Sequence, residues 1–141
     1  MIGLLFLLAQ AVSPVAQAVP AAQASADSLP PADWSMLSEL HFRRRPPAAP
    51  EMSRFVIAEV AAGRCAAQRQ SDGQLVLRVD VAVRSSASGQ VRRLVPRAIG
   101  CPTVEQFAVG LVSRMARDNI DTGDSVGDQW YRTGMTFAWS Q

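Results

Sequence analysis

Lysine is missing from this chain of 141 residues: its fourteen basic side chains are all arginine. That absence removes Schiff-base amines, a phosphate-loop lysine and Ser-Lys dyads from the available chemistry. Histidine is nearly missing as well. His41 stands alone, in a stretch that offers no rigid neighbour to orient an imidazole general base. A His-Glu-x-x-His zinc site is excluded by number. Charge of one sign is also scarce, since 14 basic against 12 acidic residues leave a formal net charge of only +2. Acids and bases are interspersed, a balance too mild for a nucleic-acid binder. No cofactor and no metal is expected, and the chain reads as a non-catalytic domain.

What is present begins at the N-terminus. Residues 2–9 are almost wholly apolar, Pro14 interrupts the run, and two Ala-Gln-Ala triplets end at Ala18 and Ala24. An apolar core, a helix breaker and small-x-small sites in that order describe a secretory signal peptide. Cleavage after Ala18 leaves a c-region of better length than cleavage after Ala24. The alternative is an uncleaved anchor, and contact with a membrane is expected only in that case. Export places the protein in the periplasm or outside the cell. There an even, isolated pair of cysteines, Cys65 and Cys101, is most simply a disulfide. Closing a loop of that size stabilises a small domain by roughly 3–4 kcal/mol in the chain-entropy picture.

Residues 19–50 read as a tether rich in Ala, Ser and Pro. One island interrupts it, where Asp33 caps a brief helix that docks Trp34, Leu37 and Leu40 loosely on the domain. Arg43, Arg44 and Arg45 read as a solvated cluster. The folded domain, residues 51–141, opens with a helix carrying Met52, Phe55, Val56 and Val60, which Gly63 terminates.

The clearest strand follows. Leu75, Leu77, Val79, Val81 and Val83 alternate with Val76, Arg78, Asp80, Ala82 and Arg84, which is period-two patterning with one apolar face. A turn over residues 85–89 returns the chain through residues 91–95 as an antiparallel hairpin. Thr103 and Gln106 have capping-box spacing. Val104, Phe107, Ala108, Leu111, Val112 and Met115 then form one apolar helical stripe that belongs on the hairpin's apolar face. After a loop holding Asp121, Asp124 and Asp128, a last strand places Tyr131, Thr133, Met135, Phe137 and Trp139 on one side. Asp118 and these three loop aspartates read as solvated, because their spacing is not that of an EF-hand and no Glu closes it. Arg78, Arg84, Arg92 and Arg93 read as ordinary solvation of a sheet surface. The expected fold is a two-layer α+β domain in the order helix, strand, strand, helix, strand, with a small antiparallel sheet.

This layout resembles the C-terminal domain of the TonB family. The likeness rests on the alternating strand 75–81, the turn at Ser88 and Gly89, the connection Gly100-Cys101-Pro102-Thr103-Val104-Glu105, and the aromatic strand 133–139, preceded by a helix and a Pro-rich tether. The resemblance implies a partner peptide that adds to the sheet along the last strand. The candidate partner-binding residues are then Tyr131, Arg132, Thr133, Gly134, Met135, Thr136, Phe137 and Ala138. The implied partner is an envelope protein or peptide, with homodimerisation through the same strand as a further outcome of an uncovered edge. A TonB-type energy transducer with an uncleaved anchor, and a secreted enzyme or inhibitor, are the alternatives. Sequencing the N-terminus of the protein recovered from the envelope is expected to start at Val19, whereas an intact Met1 in the membrane fraction would establish the anchor.

Overall fold

The computed structural model describes residues 29–45 and 50–140. The leader, with its two cleavage positions, lies outside the described residues. Among those described, no helix is long and apolar enough to cross a membrane.

The backbone of the fold is a pair of eleven-residue strands, β4 (Leu75–Ser85) and β7 (Gln129–Trp139). They pair antiparallel from Leu75 opposite Trp139 to Ser85 opposite Gln129. Alternation sets their faces as expected: Leu77, Val79, Val81, Val83, Tyr131, Met135 and Phe137 are all buried in one core. The second flank of β4 is shared. The two-residue β3 (Gln68–Arg69) pairs with its start, and β5 (Val91–Pro96) pairs with its end in the expected hairpin. The β4–β5 register shifts between Arg84 and Ser85. Gly89 in the hairpin turn has φ +84°, and a Cβ there would come within 3.0 Å of the Ile120 carbonyl oxygen. That position therefore needs both the left-handed backbone and the missing side chain.

Two helices cover the apolar face, making an α+β architecture. Helix α1 (Ser53–Ala61) ends where Gly63, at φ +72°, donates its N–H to the Val60 carbonyl, a left-handed cap. Helix α2 (Pro102–Ala116) lies against β4 and β5. Val104, Ala108, Leu111 and Val112 of its stripe are buried, as is Ala116 one turn on, while Phe107 and Met115 flank the core. A row of rings joins the layers: Phe55 lies 4.9 Å from Phe107, and Phe107 lies 6.0 Å from Phe137 between centroids.

The expected capping box is replaced by other chemistry. Pro102 takes the first helical position and Cys101 the cap position, without a side-chain capping bond. Glu105 reaches back instead, its Oε1 accepting from the N–H groups of Cys101 and Ile99 at 3.1 and 2.8 Å. Thr103 is drawn elsewhere, donating its hydroxyl to Glu59 Oε2 on α1 at 2.6 Å. Glu59 also holds Arg64, its Oε1 and Oε2 accepting from Nη2 and Nε on one guanidinium edge at 2.7 and 2.9 Å. One nearly buried carboxylate thus clamps α1 to the start of α2. The Cys65–Cys101 disulfide runs beside it, with Cα atoms 5.3 Å apart and a sequence separation of 36.

Residues assigned by composition to the tether are docked on the domain. Asp33 caps a 3-10 turn (Trp34–Met36), its carboxylate accepting from Ser35 N–H at 2.8 Å. The next residues form β1 (Ser38–Glu39), parallel to β7, and β2 (His41–Phe42), antiparallel to β6 (Ile120–Asp121). Leu40 between them is buried in the core at 4 % exposure, more firmly seated than loose docking implies. The folded body therefore starts upstream of Pro50.

The Arg64 guanidinium and the Thr103 hydroxyl hold the Glu59 carboxyl down from 4.5 to about 2. A depressed carboxyl adds stability above its unfolded value, and that contribution disappears as pH falls toward the folded one. Thermal melts should show Glu59→Gln less stable than wild type at pH 6, with the difference shrinking steadily between pH 4.5 and 2.

Candidate functional site

Hydrogen bonding on β7 alternates between its two flanks. The Arg132 carbonyl accepts the Leu40 N–H at 2.8 Å, so Arg132 turns its backbone toward β1. Tyr131, Thr133, Met135 and Phe137 then turn theirs toward β4, and Gly134, Thr136 and Ala138 turn theirs to the flank that β1 occupies only at Tyr131 and Arg132. From residue 134 to residue 138 no described strand covers that flank. The open stretch is about 17 Å long at ~3.4 Å per residue. Its outward-facing residues, Gly134, Thr136 and Ala138, are small and uncharged, so no Lys, Pro or bulge guards it.

The eight residues expected to bind a partner thus divide. Tyr131 is buried, and its hydroxyl lies 2.7 Å from Ser125 Oγ. Arg132 commits its Nε to the protein itself, donating to the Leu37 carbonyl at 3.1 Å. Met135 and Phe137 belong to the core. Thr133 lies at the boundary, where β1 ends. Gly134, Thr136 and Ala138 hold the free backbone.

The closed half of the edge is held by a strap. Residues 29–45 cross from the outer sheet face, around β7, to the helical side. Arg97 lays its guanidinium over the Trp34 ring, 4.6 Å from the centroid. At the far end Asn119 acts as a clamp: its backbone carbonyl accepts from Arg43 N–H, its Oδ1 accepts from Arg44 N–H, and its Nδ2 donates to the carbonyls of Arg44 and Met115. Read from sequence, Asn119 is a helix stop and Arg43-Arg44-Arg45 a solvated cluster. A buried amide that pairs with another peptide leaves no periodic signature.

Under the strap, on the face opposite the helices, lies a cleft of about 430 Å³. Three arginines (Arg78, Arg97, Arg132) and three acids (Asp33, Glu39, Asp80) line it, together with Trp34 and Gly134. Arg78 Nε and Asp80 Oδ1 pair at 2.8 Å. This pair lies across Gly134, where a Cβ would sit 2.6 Å from Arg78 Nη2. The Asp33 carboxyl is held below its usual range, chiefly by its hydrogen bonds from Ser35.

Among the described residues the groups of a Ser-His-Asp triad do not come together. Residues 123–127 read Gly-Asp-Ser-Val-Gly, the lettering of a nucleophile elbow, but such an elbow needs a strand-to-helix turn and this loop joins two strands. Ser125 donates its hydroxyl to the Thr122 carbonyl at 2.6 Å. His41 is exposed on β2, and among the described residues its side chain makes no hydrogen bond to Ser125 or Asp121. The loop aspartates disperse: Asp128 lies 3.7 and 4.0 Å from Arg84 and Arg92, and Asp121 accepts from Gly123 N–H. Among the described residues no three potential ligands converge on a metal position.

Comparison with models of known protein families, with curated proteins and with solved structures finds no significant match to this chain. Proline tests the assignment of the two flanks, because it removes one N–H. Thr136→Pro, on the open flank, is expected to cost no more than about 1 kcal/mol in urea denaturation, and Thr133→Pro, inside the β4 ladder, about 3 kcal/mol or more.

Proposed function

We propose that this is a non-catalytic, exported protein-binding domain whose partner adds a strand to the open flank of β7. The observation that carries the reading is the behaviour of β1. This short segment of the chain already adds itself to the same edge, two residues upstream of the vacant stretch, using main-chain hydrogen bonds. The edge is thus geometrically competent for β-augmentation, in which backbone bonds supply affinity and alternate side chains supply selectivity. The layout that resembles the TonB C-terminal domain supports the same mode, and the disulfide fits an oxidising compartment such as the periplasm. The partner class is an envelope protein or peptide presenting an extended segment of about five residues.

Affinity capture from envelope extract tests it, comparing wild type with Thr136→Pro. A partner recovered by wild type and lost with the folded proline variant is the expected result. Capture unchanged by the proline rejects strand addition.

A further inference from the structure

The vacant stretch of β7 is closed at one end. β1 faces Tyr131 and Arg132, and Leu40, next in line beside Thr133, turns away into the core. An added strand can extend along Gly134, Thr136 and Ala138, but it cannot run past Thr133. If it pairs antiparallel, the more stable arrangement, its chain direction delivers the carboxyl end to that stop. The outer cleft opens at the same point, since Thr133 and Gly134 form part of its wall. We propose that this cleft is a pocket for the C-terminal carboxylate of the added peptide. The proposal rests on the strand-addition reading and names what that site selects.

The donors in the cleft favour a carboxylate. Its six charged groups balance formally, so recognition depends on which hydrogen-bonding atoms are uncommitted. Two of the three acids are engaged: Asp80 accepts from Arg78, and Asp33 accepts from Ser35 N–H. Arg97 makes no side-chain hydrogen bond among the described residues and is held in place by the Trp34 ring. Arg132 spends its Nε on Leu37, and its two terminal nitrogens make no hydrogen bond among the described residues. A guanidinium fixed by an aromatic face presents a planar fork that matches a carboxylate. Gly134 completes the site. The final residue of the peptide would lie opposite it on the outer face, beside the Arg78 guanidinium, which occupies the space a Cβ at Gly134 would take.

The test uses a random library of N-acetylated heptapeptides with free carboxylates, screened against the full chain. Enriched peptides are then resynthesised as C-terminal amides. The acids are expected to bind about tenfold tighter than the amides, the size of one charge-assisted hydrogen-bonded contact. Arg97→Gln should erase that gap, and Thr136→Pro should abolish binding of both forms. Equal affinity of acid and amide, or a gap that survives Arg97→Gln, overturns the carboxylate pocket. If Thr136→Pro still blocks both forms in that event, strand addition itself stands. Failure to enrich any peptide, or enrichment of peptides indifferent to Thr136→Pro, overturns both.

Discussion

Everything in this molecule is built against one ladder, the full-length pairing of β4 with β7. The two strands are equal in length and run in register from end to end. Their apolar faces together give α1 and α2 a surface to cover. Their outer flanks then define what remains: β3 and β5 divide the free side of β4, while β1 takes a small part of the free side of β7. The asymmetry between those flanks produces the site. A sheet edge has unpaired N–H and C=O groups by construction, and here one such edge is filled at Tyr131 and Arg132 and left uncovered by the described residues from 134 to 138.

The strap gives that edge its polarity. Without it, β7 would present a uniform row of backbone groups with no preferred end. Leu40 and Asn119 anchor it on the helical side, Trp34 and Arg97 on the outer side, and between them the segment crosses the edge at a defined register. The same segment roofs the charged cleft. Edge, stop and cleft are therefore one arrangement, and each follows from where residues 33–44 dock.

The large elements were legible because they repeat. Leu75 to Val83 announce a strand by period two, and Val104 to Met115 announce a helix by their stripe; both patterns survive intact in the folded chain. What escaped was non-periodic. β1 and β2 have two residues each and sit in Pro-rich sequence, so their conformation is imposed by β7 and β6 rather than by local preference. Thr103 had the spacing of a cap, yet a carboxylate 44 residues away in the chain captured its hydroxyl. The last strand was legible from its own alternation. The cleft was not, because Arg97, Trp34 and Gly134 meet only once the sheet exists.

The order of strands along the chain has its own consequence. β4 is made early and β7 late, with Leu75 and its partner Trp139 separated by most of the domain. Such non-local closure is slow, since loop entropy is lost before the contacts form. Until then the half-finished polypeptide offers α2 only the β4–β5 hairpin and offers α1 no β7 to settle on. It stays threadable, and the step that commits it to a globule comes only when residues 129–139 have emerged.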